Sequence, residues 1–506
     1  MKKSAFFIKF TLITLVALVA QSCSDDFLDV KVQGGVTTES DPGLAQDLVT
    51  GVYASLLQGD SWGNGDVHGF AFISVTSIMS DDADKGSTAQ DQAVPVGDID
   101  DFTLTSTNKF AETLWSGHYN SIGAANQALQ ALESAPIDAN QKRQWQGEVR
   151  FLRAYLYFNL VRMYGAVPLV VRVPVDATDA NSDPAFQTRA SVDNIYATII
   201  SDLQFASNTL PLKNAAQVGH ATKGAAQGML AKVYMYRNDW PKVFAYADSV
   251  ITSGQYALVP DYAHLWRQSG DNSIESLFEI QTGEFNNANL KIDNYTVSQG
   301  PRVGGAGGWD DLGWGFNNPS ASLLAAYEPG DVRRQSTIIE VDNSGTHKGT
   351  ILWDGFRLPS KDSVQNLYYN YKAYTSKTNE KYAQNEDKDR PKNIKILRYA
   401  DVLLMWAEAA VRTGLGNADD KINLLRQRAQ LDPKSGVTLE DVWHERHVEL
   451  AMEHDRFFDI VRQGRAAQLM QAAGKTNFVA GVHEVLPIPN SQILLSGNQL
   501  KQNFGY

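Results

Sequence analysis

Trp145-Gln146-Gly147-Glu148-Val149-Arg150-Phe151-Leu152-Arg153-Ala154-Tyr155-Leu156-Tyr157-Phe158-Asn159-Leu160-Val161-Arg162-Met163-Tyr164 is the stretch that decides the fold class. Val149, Leu152, Leu156, Leu160 and Met163 recur at spacings of three and four, the period of one helical face. Gly165 and Pro168 then stop the pattern. The same period recurs on both sides. Ala45–Leu57 reads as a helix, and after a polar, Gly-rich loop over Gln58–Gly69, which carries Trp62, another spans Ala111–Leu132 and ends before Pro136. Helices are further expected over Val192–Leu210 and Thr222–Arg237, the latter paired with Trp240–Thr252. In that pair Leu230, Ala231 and Tyr234, followed by Val243, Ala247 and Val250, keep the spacing of a degenerate tetratricopeptide unit. Gly224, Gly228 and Ala231 put small residues on one face, which predicts a close helix approach there. Tyr399–Thr413 and Asp419–Ala429, separated by Gly414 and Gly416, form a second such pair. The expected class is mainly α, with helix pairs as scaffold about residues 40–280 and 394–470.

Between those blocks, over about 281–393, periodicity fades and Gly, Asn, Asp and aromatic residues accumulate. Gly304-Gly305-Ala306-Gly307-Gly308-Trp309-Asp310-Asp311-Leu312-Gly313-Trp314-Gly315 cannot form a helix or a regular strand interior. A long irregular insert of this kind is usually functional or disordered, and its aromatic content argues for function. Residues 471–506 form an irregular C-terminal segment.

The start of the chain has a different character. Met1-Lys2-Lys3 is basic, Phe10–Ala20 is an uncharged apolar run, and small residues lead to Cys23, the only cysteine of 506 residues. That order is a secretory signal peptide over 1–22, too short in its apolar part to span a bilayer. A lone thiol excludes an internal disulfide and at this position is read as the point of lipid attachment. Ala20 stands where Leu is commonest in lipoprotein signals. The remainder, 23–506, reads as one domain. The net charge of −12, with no basic stretch, makes nucleic acid a poor partner.

Catalytic motifs fail on inspection. In His444-Glu445-Arg446-His447 the second histidine comes one residue too early to share a helical face with the first, so zinc-protease geometry is absent. Gly63-Asn64-Gly65 lacks the third glycine of a dinucleotide fingerprint, and Asp82-Ala83-Asp84-Lys85-Gly86 holds only part of a calcium loop. Glu445, Glu449, Glu453 and Arg456 form a charged stripe expected on one helix, where an ion-pair network fixing helix packing outweighs acid–base chemistry. No catalytic residue, metal or cofactor is therefore expected. Trp309, Trp314, Phe316, Tyr327 and Trp353 lie in or near irregular segments beside Asp310, Asp311, Asn317 and Asn318, the combination that stacks on sugar rings and bonds their hydroxyls. About half of these rings are expected to be loop core. The candidate ligand residues are Trp62, Asp82, Trp309, Asp311 and Trp314.

Several stretches together resemble the SusD/RagB family of outer-membrane nutrient-binding lipoproteins. They are Cys23-Ser24-Asp25-Asp26-Phe27-Leu28-Asp29, Gly147–Tyr155 running on to Tyr164–Leu169, Arg398–Ala409, Arg446–Glu449 with Glu453 and Arg456–Arg462, Leu486-Pro487-Ile488-Pro489, and Gln502–Tyr506. The resemblance implies four tetratricopeptide-like helix pairs, a variable loop-rich part bearing the ligand site, and no enzymatic activity. It further implies a lipid-anchored, surface-exposed position on the outer membrane. A SusC-like TonB-dependent transporter is the implied partner, on which the protein sits as a hinged lid. Its ligand would be an oligosaccharide or, as in the RagB branch, a peptide. A lipid-anchored helical scaffold used only for protein docking is the reading from another class.

Overall fold

The computed structural model describes residues 41, 43–60, 65–282, 294–302, 312–341, 350–358, 361, 364–376, 378–380 and 392–506. Its scaffold is a run of helices: α1 (Gly43–Ser55), α2 (Lys109–Ser134), α3 (Ala139–Tyr164), α4 (Val192–Thr209), α5 (Lys223–Tyr236), α6 (Trp240–Thr252), α7 (Tyr399–Thr413), α8 (Asp419–Arg428), α9 (Leu439–Glu449) and α10 (Arg456–Arg462). From α1 to α7 each helix packs on the next in chain order, and α7 continues onto α8 and α9. Stacked helix pairs are thus the architecture that the periodicity implies, because each hairpin buries only part of its apolar surface alone.

The starts are set by side-chain caps. Asn108, Asp138, Ser191, Thr222 and Asp239 accept bonds from the first free backbone N–H groups of α2 to α6, and Thr438 with Asp441 forms a capping box on α9. Gly165, at φ 72°, ends α3 in a conformation that favours glycine.

Two expectations change in the tertiary structure. The stripe on α3 is no stripe, since its residues from Gly147 to Val161 are buried on nearly every side except Arg150. The helix lies between α1, α2, α4 and α5, so its polar residues need internal partners. Arg153 donates to both oxygens of Asp202, at 2.9 and 3.0 Å, and to Asn126, while Glu148 accepts from Tyr53 and pairs with His220. The small face of α5 meets more than a helix: besides Val402 of α7, 3.6 Å from a Cβ placed on Gly228, it packs against a strand pair. A Cβ on Gly228 would stand 2.7 Å from Leu277 and 2.8 Å from Leu397, and one on Gly224 would enter the Tyr256 ring. Leu277 belongs to β2 (Ser276–Ile280) and Leu397 to β6 (Ile394–Arg398), which pair antiparallel and bring the two ends of the irregular insert together.

Within that insert the structure holds more order than the composition suggests. Short helices run over Asn294–Gln299, Ala321–Ala326 and Val332–Thr337. Strand β3 (Phe316–Pro319) pairs antiparallel with β1 (Ala83–Gly86), and β4 (Ile338–Glu340) pairs with β5 (Tyr368–Asn370). Each ribbon is two-stranded and leans on the helical core, because an isolated hairpin is marginal in water. The C-terminal segment closes over the end of α3: Leu486 donates to the Met163 carbonyl and Asn503 to the Tyr164 carbonyl.

The charged stripe is reassigned. Helix α9 stops at Glu449, and Met452 and His454 take φ of 64° and 68°, so Glu453 and Arg456 lie beyond the helix. The network reading of those charges holds. Arg398 meets Glu275, Glu449 and Glu453; Arg333 meets Asp331, Glu445 and Glu449; Arg428 meets Glu275 and Glu449. A second web joins Arg446 to Asp401 and Asp459, and Lys232 to Asp401 and Asp455. Burial alone would raise the Glu449 pKa, but Arg428, Arg398 and Arg333 hold it at about 2.

Candidate ligand-binding site

Of the sequence-derived ligand residues, Trp62, Trp309 and Asp311 lie outside the described residues, as does Cys23. Trp314 and Asp82 are described, and they fare differently.

Trp314 leads into β3. Its backbone N–H donates to the Val297 carbonyl at 2.8 Å, and the next residue, Gly315, at φ 76°, donates to Gly300. The ring is half-buried, edge-on to Phe70 with centroids 6.2 Å apart, so one part anchors in the core while another reaches the surface. Asp82 is 1% exposed. One carboxylate oxygen bonds to His447, and Arg456 lies 3.6 Å away. Its side chain is therefore enclosed by α9 and the start of α10, and the expected contact with a sugar hydroxyl is corrected to an internal ion pair. Asp81, Asp82 and His447 could together present three metal-ligand atoms within 4.8 Å of one another. However, Arg456 donates to both oxygens of Asp81, at 2.8 and 2.7 Å, and holds its pKa at about 2 against burial. A fixed guanidinium already supplies the positive charge a cation would bring.

The other aromatics divide as the loop composition implies. Phe316 and Tyr327 are buried, while Trp353 is 37% exposed. Trp353 borders a solvent-open cavity of about 670 Å³, lined also by Asp261, His264, Arg267, Asn379 and Glu380. The cavity wall is a tight turn, Tyr262–Trp266, capped by Asp261. Trp266 points inward, where the ammonium of Lys372 stands 4.4 Å from its ring, and the next side chain, Arg267, points the other way. Its guanidinium lies 4.3 Å above Trp353 and 5.3 Å from Tyr371, whose hydroxyl accepts the backbone N–H of Trp353. Two charged groups pin these loops together. Both oxygens of Glu380 accept backbone N–H groups, from Gln268 and Ser376, each at 2.7 Å, and buried Lys392 donates to the carbonyls of Trp266 and Tyr374. Burial pulls the Arg267 pKa below its ordinary value, and among the described residues no carboxylate forms an ion pair with it. Trp353 stood out in the sequence as an aromatic near irregular chain. Arg267 carried no signal, because its surroundings depend on two rings about ninety and about a hundred residues away.

A stack of helix pairs with few strands is the fold of SusD-like structures. One family model, described as starch-binding and associating with the outer membrane, matches residues 26–235, and the SusD family model matches residues 274–506. The chain belongs to the SusD/RagB family. It is 26% identical to the SusD-like protein P2 of Formosa agariphila, over 98% of this chain and 99% of that one. Among solved structures, a laminarin binding SusD-like protein is 28% identical with a TM-score of 0.75, covering 92% of this chain and 99% of the other. Surface glycan-binding protein A from Bacteroides thetaiotaomicron, in complex with laminarihexaose, shares the fold at 23% identity and a TM-score of 0.76, with 91% and 99% covered. No helix among the described residues is long and apolar enough to cross a membrane.

Proposed function

We propose that this chain is a non-enzymatic, surface-exposed lipoprotein that binds oligosaccharide and delivers it to a SusC-like TonB-dependent transporter in the outer membrane, tethered by lipid at Cys23. The observation that carries the reading is the part-exposed Trp314 and Trp353 in the loop-rich part of a SusD scaffold. Large rings left partly open in acidic, Gly-rich loops are costly without a partner, and sugar C–H faces supply one. The similarity to a laminarin-binding relative along almost the whole chain supports the same class of ligand. In this reading Trp62, Trp309 and Trp314 form the stacking platform and Asp311 bonds hydroxyls, with Asp82 left out by its burial.

The test is calorimetry on the mature chain with a panel of neutral oligosaccharides that includes laminarihexaose. Binding of at least one glycan is expected, with Trp314→Ala weakening it several-fold at an unchanged melting temperature. Each stacked ring contributes on the order of 1 kcal/mol. Failure of the whole panel alongside binding of peptides from a protein digest would move the protein to the peptide-binding branch.

A further inference from the structure

The Arg267–Trp353 cavity has chemistry that neutral-sugar stacking does not explain. Arg267 is the residue to account for. It is half-buried, flanked by Trp353 and Tyr371, and among the described residues forms no ion pair. The contrast with its neighbours is sharp. Arg333, Arg398, Arg428, Arg446, Arg456 and Arg462 are each bonded to carboxylates. The nearby carboxylates act on it only from beyond ion-pair distance: Glu380 has both oxygens taken by backbone N–H groups, Asp261 caps its own turn and Asp354 accepts from the Tyr374 hydroxyl. Desolvating a guanidinium with no carboxylate in direct contact is unfavourable, and a planar fork is the side chain best shaped to take an anion with two parallel bonds.

We propose that this cavity is a subsite for an anionic sugar unit, its carboxylate or sulfate oxygens on the Arg267 guanidinium and its ring against the open part of Trp353. The cavity volume of about 670 Å³ accommodates such a unit. The walls are preorganised for it, because Glu380 and Lys392 tie the turn and the facing loops through backbone groups and leave little to order on binding. The inference rests on the glycan-binding reading and refines it: charge on the sugar, in addition to ring shape, would select the ligand. A uronate and a sulfate ester present the same chemistry to Arg267, so the experiment carries both.

The mature chain is titrated calorimetrically with oligogalacturonate and its fully methyl-esterified form, with oligomannuronate and its methyl ester, and with a sulfated galactan oligosaccharide and its desulfated form. Laminarihexaose serves as an uncharged reference. At least one charged member should bind more tightly than its neutral counterpart. Arg267→Met, which keeps the alkyl packing on Trp353, should weaken that member by about tenfold while changing neutral ligands less than about twofold. Arg267→Lys should fall between, because it keeps the charge and loses the fork. Which charged member responds separates carboxylate from sulfate. Equal affinities within every charged and neutral pair, or an equal loss of both in Arg267→Met, would overturn the subsite and leave the glycan reading intact. Absence of binding to every saccharide, laminarihexaose included, would overturn both. Unfolding curves of the two variants that match the parent exclude misfolding as the cause.

Discussion

Glu449 is where the ion-pair web can be tested most directly. It is fully buried and accepts from Arg333 at 3.1 Å, Arg398 at 3.0 Å and Arg428 at 2.5 Å. Removing its charge in Glu449→Gln preserves shape but leaves three guanidinium groups with less counter-charge. The linkage estimate starts from a folded pKa of about 2 and an unfolded value near 4.5. That gap corresponds to about 3 kcal/mol of stability at neutral pH, in line with the cost of breaking buried pairs. The sign follows from the depressed value: the contribution is complete above about pH 4.5 and disappears as pH falls through about 2. Urea unfolding of parent and variant at pH 7, 4 and 3 should show a gap of about 3 kcal/mol that narrows to roughly two-fifths of that by pH 3. Glycan affinity of the folded variant should change little, because neither Trp314 nor Trp353 contacts Glu449 or its three arginines. A large loss of affinity at an unchanged unfolding midpoint would refute the reasoning, as would an unfolding gap that does not depend on pH.

Three further outcomes are expected. Burial lowers the pKa of His68 to about 4 and of His118 and His454 to about 3, so the unfolded chain binds more protons than the folded one below about pH 6.5. Stability followed by fluorescence should then decline from pH 6.5 towards 4, and a flat profile there would contradict the buried neutral rings. Gly228→Val would drive a side chain into Leu277 and Leu397 and should cost about 1 to 3 kcal/mol in urea unfolding, whereas Gly254→Ala, at φ 65° in open space, tests backbone strain alone. Cys23→Ser should release a folded protein from the membrane fraction, since a lipid there is the proposed anchor; retention in cells lacking the transporter would remove the lipoprotein assignment.

The helical scaffold was legible in the sequence because helix formation is written locally. Trp240–Thr252 and Tyr399–Thr413 start and stop where the period and Gly414 place them, and Asp239 caps the first of them. Family membership was legible for a related reason: Arg398–Ala409 and Arg446–Arg462 hold charges whose spacing serves one shared packing arrangement. Only the tertiary structure decided what those charges do. Asp82 read as a ligand residue, yet the turn before β1 carries it under His447, more than three hundred residues away in the chain, where it is an internal partner. The small face of α5 announced a close approach without saying that Leu277 and Leu397 make it. Arg267 illustrates the limit best. Nothing within ten residues distinguishes it, and its half-buried fork, lack of an ion-paired carboxylate and contact with Trp353 and Tyr371 arise from three separate loops folding together. Periodicity and capping act between near neighbours and survive in a linear reading; burial and charge compensation are properties of a shared volume, and exist only once the chain has closed around them.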